Sequence, residues 1–264
     1  MTTTEKESTV NNAATIEKLH LLKLHGMERA FRALLDTNQD RALSPDEMLA
    51  HLVDLEWEDR HSRKTTRLTR AAGFRNRAVL AEVDFSVSRG IDRASLARLS
   101  DCSWLKAGKT VLVTGPCGVG KSFLIQALGA QACVLGYRTL YFNCGKLFQL
   151  LKEKRSDGGY RRFVARVSRM PLLILDDFGL TPLDAEDRLS LLEIIEDRCG
   201  ANATVIASQI PVAKWFDVIG DPTIADAICD RVVHQAIRIA LSGKSMRASR
   251  TKDAQAEACA NPAS

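Results

Sequence analysis

Residues 109–122 read KTVLVTGPCGVGKS, and the fold follows from this stretch. Its first half, Val111 to Thr114, is a short β-branched apolar run ending at a glycine, which reads as a buried strand. Its second half, Gly115-Pro116-Cys117-Gly118-Val119-Gly120-Lys121-Ser122, fits G-x-x-x-x-G-K-[ST] and leads into the helical run Phe123 to Leu135. Strand, glycine turn and helix in that order make a phosphate cradle. The glycines let backbone N–H groups curl round phosphate oxygens, and the helix start adds the positive end of its dipole. Gly115, Pro116, Cys117, Gly118, Val119, Gly120, Lys121, Ser122 and Phe123 are therefore the expected nucleotide contacts. Lys121 is expected to reach the β and γ phosphates of ATP, and Ser122 to ligate Mg2+.

Leu172-Leu173-Ile174-Leu175-Asp176-Asp177 supplies the second half of such a site. Four consecutive apolar residues behind Pro171 predict a strand buried on both faces, with both carboxylates at its carboxyl end, where open parallel sheets bind ligands. Asp176 is expected to hold Mg2+ through water, and Asp177 to orient or deprotonate the attacking water. Thr139 to Phe142, Thr204 to Ser208 and Ala236 to Leu241 complete five predicted strands, each separated by enough chain for a crossover helix. This is a doubly wound α/β parallel sheet. The strand Thr139 to Phe142 is expected to lie between the loop strand and the Asp strand, an arrangement that points to a motor or switch ATPase. Enzymes of that kind commonly need an arginine from a neighbouring subunit.

At 264 residues, 45% apolar and 26% charged, the chain has the composition of a globular protein, not of a disordered or fibrous one. Its longest charge-free run, Ser122 to Tyr137, is sixteen residues, short of the roughly 20 that a membrane span needs. The start MTTTEKE has no apolar core to serve as an export signal. No membrane partner and a cytoplasmic, bacterial location are the expectation. Seven cysteines, at 102, 117, 133, 144, 199, 229 and 259, form no C-x-x-C pair, and the five histidines occur singly, which argues against disulfides and zinc.

Residues 1–14 read as a flexible tail, 15–75 as a basic all-helical domain, 76–250 as the ATPase domain and 251–264 as a disordered tail. Leu21, Leu24, Met27, Phe31, Leu34 and Leu35 recur at helical spacing and are expected on one stripe of one helix. Ser44-Pro45-Asp46-Glu47 predicts a capped helix start, with Met48, Leu49, Leu52, Val53 and Leu55 on its buried side. Net charge is +5, from 37 basic and 32 acidic residues, and its distribution says more than its size. Between Arg60 and Arg77 there is no acid at all. Arg60, Arg63, Arg67 and Arg70 share a helical face with Lys64 nearby, and acidic partners at i+3 or i+4 are missing, so this stripe is a candidate DNA surface. A second basic stretch, with Lys154, Arg155, Arg161 and Arg162, lies where helices are expected before the Asp strand. Each stripe has an ordinary alternative, a solvated charged face.

The combination GPCGVGKS, LLILDDFG, ASQIPVAKW and DRVVHQAIRIALSGKSMR resembles the IstB-type transposition helper ATPases, AAA+ proteins related to the DnaC-type helicase loaders. The likeness covers about residues 15 to 250. It implies a process and partners: ATP-dependent self-assembly on duplex DNA, and recruitment or stimulation of a transposase. It also implies that Ser208, or Gln209 beside it, senses the γ-phosphate, that Arg231 is the finger presented to the adjacent protomer, and that Arg247 is a second sensor. Arg198 competes with Arg231 for the finger role. Two departures stand out. Asp177 occupies a position where such motors carry Glu, which implies slow hydrolysis, and too few residues follow the last strand for a full C-terminal lid. Trp215 reads as core packing.

A helicase loader, a non-catalytic ATP-switched DNA-binding scaffold and a small-molecule kinase are the alternative readings, the last lacking any recognisable acceptor site. Cys117, within the phosphate loop, is expected to react with alkylating agents unless bound ATP covers it.

Overall fold

All five predicted strands form. β1 (Thr110–Thr114), β2 (Thr139–Asn143), β3 (Leu172–Phe178), β4 (Ala203–Ser208) and β5 (Ile237–Ala240) pair in parallel in the order β2-β3-β4-β1-β5. The structure is a computed structural model and describes residues 11–37, 43–85 and 89–246. The strand separating the loop strand β1 from the Asp strand β3 is β4, and β2 lies at the sheet edge beside β3. The expectation that Thr139 to Phe142 would separate them is thus corrected. Burial agrees with this order: β4 is buried along its whole length, whereas β2 is half-exposed at Phe142 and Asn143, as an edge position allows.

The chain goes from β1 out to the edge strand β2, then returns through β3 and β4. Right-handed crossovers therefore put the first connecting helix on one face and the later ones on the other. Along β3, Leu172 and Ile174 enter the core under α6 (Lys121–Val134), α4 (Arg93–Ser100) and α5 (Ser103–Lys106). Leu173 and Leu175 enter the opposite core, shared by α7 (Cys144–Ser156), α8 (Tyr160–Ser168), α9 (Ala185–Arg198), α10 (Trp215–Ile219) and α11 (Pro222–Val233). All four are solvent-free, and truncating any one to Ala costs about 2–5 kcal/mol. Trp215 packs against Phe178 in the second core, with ring centroids 4.5 Å apart.

The chain divides into two units between Arg67 and Leu68, earlier than the expected boundary at 75. The reason is local: Leu68 and Ala72, at the end of α3 (Pro45–Ala72), pack with Cys133 and Phe74 of the second unit. In the first unit, α1 (Asn12–Leu21) starts inside the stretch read as tail, capped by the Asn11 side chain, which accepts from the Ala14 N–H at 3.0 Å. The single helical stripe from Leu21 to Leu35 is broken. Lys23, at φ 60°, turns the chain between α1 and α2 (His25–Asp36), leaving Leu21 and Leu22 exposed. The elbow also brings together histidines that read as isolated, with His20 Nδ1 3.0 Å and His25 Nδ1 3.8 Å from Glu28 Oε2.

The predicted capping box forms at Ser44 and Glu47, whose side chains exchange bonds with each other's backbone N–H. Of the apolar side expected on α3, Leu49 and Val53 are exposed, and Met48, Leu52 and Leu55 are only half-buried. No helix of the described residues is long and apolar enough to cross a membrane, and the six described cysteines are free thiols.

Candidate nucleotide-binding site

The phosphate loop runs from the end of β1 to the start of α6, at the carboxyl edge of the sheet. Gly118, at φ 83°, needs both its left-handed backbone and its missing side chain, since a Cβ there would lie 2.1 Å from Ser245 Oγ. Gly115 is equally confined, with the Leu241 carbonyl 2.2 Å from where a Cβ would be. Pro116 and Cys117 are exposed at the tip, Val119 is buried beneath it, and Gly120 and Phe123 are half-buried. Lys121 is buried, and its Nζ donates to the Pro116 carbonyl at 2.7 Å across the loop.

Asp176 is wholly buried and accepts three hydrogen bonds: from Ser122 Oγ at 3.1 Å, Tyr141 OH at 2.7 Å and the Asp177 N–H at 2.9 Å. Burial and the neighbouring carboxylate push the Tyr141 phenol well above its usual range, so it stays protonated and donates. Asp177 lies in a bulge where the β3–β4 register shifts, at φ 58°, a left-handed conformation that Asp tolerates better than most residues. Its Oδ2 accepts from Asn143 Nδ2 at 2.9 Å. Both β2 partners escaped the sequence reading. Tyr141 and Asn143 are two residues apart and so share a strand face with Thr139, and the polar groups gathered on that one face, opposite Leu140 and Phe142, were the available signal.

Ser208, at the end of β4, is solvent-free and stands between the two halves, its carbonyl accepting from the Gly115 N–H at 3.3 Å. Its hydroxyl donates to the Phe178 carbonyl at 2.8 Å and accepts from the Ile210 N–H, so it pins β3 to β4, with Gln209 half-buried next to it. After β5 the chain passes over the loop, and the Met246 N–H donates to the Gly118 carbonyl at 2.9 Å. Arg247 lies outside the described residues.

The two finger candidates separate clearly. Arg198 is 1% exposed and donates to the carbonyls of Val167, Ser168, Met170 and Ala203 and to Thr204 Oγ1, holding together the turns that enter β3 and β4. Burial pulls its pKa down to about 9, and its guanidinium donors are taken up within the chain. Arg231, on α11, is partly exposed and pairs with Glu196 at 2.8 Å. It borders a cleft with Thr110 and Thr204, at the amino end of the sheet and away from the chain's own phosphate loop.

The basic stripes are less bare than the sequence suggests. Arg60 is held by Glu56 at 2.6 Å and Arg63 by Asp59 at 2.6 Å, acids one turn earlier on α3, so the expectation of missing partners is corrected for these two. Glu56 is itself buried and also accepts from the Gly26 and Met27 N–H groups at the start of α2. Lys64, Arg67 and Arg70 are exposed and form no ion pair among the described residues. On α7, Lys154 pairs with Asp157 at 2.6 Å, and Arg155 stacks on Tyr160, 3.9 Å from the ring centroid, and donates to Ser190. Arg161 and Arg162 on α8 are exposed and unpaired among the described residues.

The residues fit a magnesium nucleotide. A glycine loop carries a buried lysine at its end, and the hydroxyl and carboxylate oxygens of Ser122 and Asp176 suit a hard cation such as Mg2+. A parallel sheet in the order β2-β3-β4-β1-β5, with a phosphate loop after β1 and paired acids ending β3, defines an AAA+ P-loop domain. The chain belongs to the IstB-like ATP binding protein family, whose model matches residues 17–254.

Relatives include a putative insertion sequence ATP-binding protein, y4pL, of Sinorhizobium fredii, 44% identical over 88% of this chain and 95% of its own length. The IS1162 putative ATP-binding protein of Pseudomonas fluorescens is 36% identical over 75% of this chain and 86% of its own. Among solved structures, the DnaC helicase loader shares the fold at TM-score 0.52 and 21% identity, covering 62% of this chain and 96% of that one. AMPPCP-bound DnaA from Aquifex aeolicus does so at TM-score 0.54 and 20% identity, covering 70% and 56%.

Proposed function

We propose that this chain is an ATP-hydrolysing switch that assembles on duplex DNA when ATP is bound and there recruits or stimulates the transposase of an insertion sequence in the bacterial cytoplasm. The observation that carries the reading is the contact of Ser122 Oγ with buried Asp176 at 3.1 Å, directly behind the glycine loop. Membership of a family whose relatives are named for insertion sequences supports the process.

The backbone N–H groups of residues 117–122 and the Lys121 side chain would bind and orient the triphosphate. Ser122 and Asp176 would hold Mg2+, which supplies charge neutralisation on the phosphates. Asp177 would take the proton of the attacking water, and its side chain, a methylene shorter than Glu, fits a slow timer better than a fast motor. Ser208, with Gln209 beside it, would relay the state of the γ-phosphate to both strands that it ties. Arg231 faces away from its own loop and so would serve the loop of an adjacent copy, exchanging Glu196 for that partner's phosphate. The same exchange would make assembly depend on ATP. Lys64, Arg67, Arg70, Arg161 and Arg162 are the cations best placed for DNA phosphates, while Arg60 and Arg63 would add only what their acids leave over.

Electron microscopy of the protein on long duplex DNA, with ATP, ADP or no nucleotide, tests this reading. Assemblies that form with ATP and fall apart with ADP are expected. Identical particles in all three conditions would contradict it, and selective binding to single strands and a hexameric helicase would favour the loader reading.

A further inference from the structure

The polar groups behind Ser122 and Asp176 continue, without a break, to the segment that follows α3. Gln126, 1% exposed, lies one turn beyond Ser122 on α6, and its Nε2 donates to the Ser122 carbonyl at 2.8 Å. Its Oε1 accepts from the backbone N–H groups of Arg75 at 2.8 Å and Asn76 at 3.0 Å, which fills both lone pairs of that oxygen. On the other side, Tyr141, 6% exposed, donates to Asp176 Oδ2, and the Arg75 side chain reaches the same phenol. Phe74 packs against Tyr141, ring centroids 6.2 Å apart. It also lies over Gly129, where an added Cβ would come within 2.7 Å of its ring. Three consecutive residues, 74–76, thus touch both arms that reach the metal-ligand pair.

The two arms act on different atoms. With Oδ2 taken by the phenol, Asp176 presents Oδ1 to Ser122. The Gln126 amide adds a second bond to the Ser122 carbonyl beyond the helix's own, and so ties down the first turn of α6, whose Ser122 hydroxyl faces Asp176. Neither side chain belongs to the phosphate loop, and neither has an apolar reason to be there. Buried polar groups this deep persist because each satisfies another, so loss of one orphans its partner.

We propose that Gln126 and Tyr141 are positioning residues for the pair Ser122 and Asp176, and that the segment 74–76 sets their geometry, so that the stretch leaving the basic helix α3 and the nucleotide site constrain each other. The inference rests on the magnesium nucleotide reading above. Its consequence is reciprocal: whatever strains residues 74–76 weakens the metal site, and filling the metal site tightens residues 74–76 by the same free energy.

The test uses the full chain and a fluorescent ATP analogue, titrated with Mg2+ and again with EDTA, alongside hydrogen exchange at the Arg75 and Asn76 amides. Tyr141→Phe is expected to weaken the Mg2+-dependent part of the affinity about tenfold, the usual scale for a residue that orients a metal ligand, and to leave the EDTA affinity unchanged. Gln126→Glu keeps an acceptor for the two amides but cannot donate to Ser122, so it should lose Mg2+ dependence while keeping Arg75 and Asn76 protected. Gln126→Leu should lose both. In the parental chain, Mg2+ with nucleotide should slow exchange at Arg75 and Asn76. Tyr141→Phe and Gln126→Glu with parental Mg2+ dependence would overturn the inference. So would equal losses with Mg2+ and EDTA, which mark a merely structural role, or exchange at 75 and 76 that ignores the nucleotide. A parental chain that binds the analogue equally with and without Mg2+ would overturn the underlying site reading, and the inference with it.

Discussion

Asn143 and Asp177 stand on adjacent strands, β2 and β3, joined by a hydrogen bond of 2.9 Å from the amide to one carboxylate oxygen. That bond, with the left-handed backbone at Asp177, fixes where the proposed base points. Asp177→Asn removes the base and keeps the shape, so ATP binding and assembly should persist while phosphate release falls by about 10²–10⁴-fold. Asn143→Ala should lower turnover severalfold and leave ATP affinity within about twofold, because only orientation is lost. Phosphate release under single-turnover conditions, beside equilibrium binding, checks both.

The two arginines near the amino end of the sheet should fail in opposite ways. Arg198→Ala removes the guanidinium donor from the carbonyls of residues 167, 168, 170 and 203; Val167 and Ser168 keep the Met170 N–H and Asn202 Nδ2, but each buried carbonyl left unpaired costs about 1–3 kcal/mol, so the melting temperature should drop. Arg231→Ala removes one partly exposed ion pair, worth about 0–1 kcal/mol, so the fold should survive with ATP turnover lost. Mixing Arg231→Ala with Lys121→Ala protein should restore some turnover, since one copy keeps an intact loop and the other an intact arginine. Melting curves and mixed-subunit assays separate the two roles.

Salt dependence distinguishes the paired cations of α3 from the bare ones. Each phosphate contact contributes a slope of about −0.9 in log affinity against log salt. Arg67→Ala with Arg70→Ala should therefore flatten the slope on duplex DNA by about 1.8. Arg60→Ala with Arg63→Ala should change it much less, because Glu56 and Asp59 already neutralise those guanidinium groups. Equal slopes in all three proteins would take this face out of the DNA interface.

Cys117 is exposed at the tip of the loop, whereas Cys102, Cys133 and Cys144 are buried, with burial pushing their thiols up. Maleimide should label Cys117 rapidly and inactivate the protein, and ATP should slow that reaction at least severalfold. Mass spectrometry of the labelled peptide checks this, and equal rates with and without ATP would separate the thiol from the nucleotide.

The strands were readable because each is a short apolar run flanked by turn residues, and the loop because glycine, lysine and serine at that spacing have one physical use. Strand order was not, since whether β2 or β4 lies beside β1 depends on pairings between residues far apart in the chain. The α1–α2 elbow hid for a different reason: one left-handed residue at Lys23 turns the helix while leaving three- and four-residue apolar spacing on either side. Glu56 and Asp59 lie just before the acid-free run that starts at Arg60, and a helix offers i−4 neighbours as readily as i+4, so the run alone does not reveal them as partners. Tyr141, Asn143 and Gln126 carry no motif, and only the packing of β2 and α6 around Asp176 gives them meaning.

The central claim is that residues 115–122 cradle a magnesium nucleotide in front of Asp176, and calorimetric titration of ATP with Mg2+ measures it most directly. One saturable site per chain is predicted for the parental protein, with no measurable heat for Lys121→Ala. A folded parental protein that binds no ATP, or a Lys121→Ala protein that binds it equally well, would contradict the account.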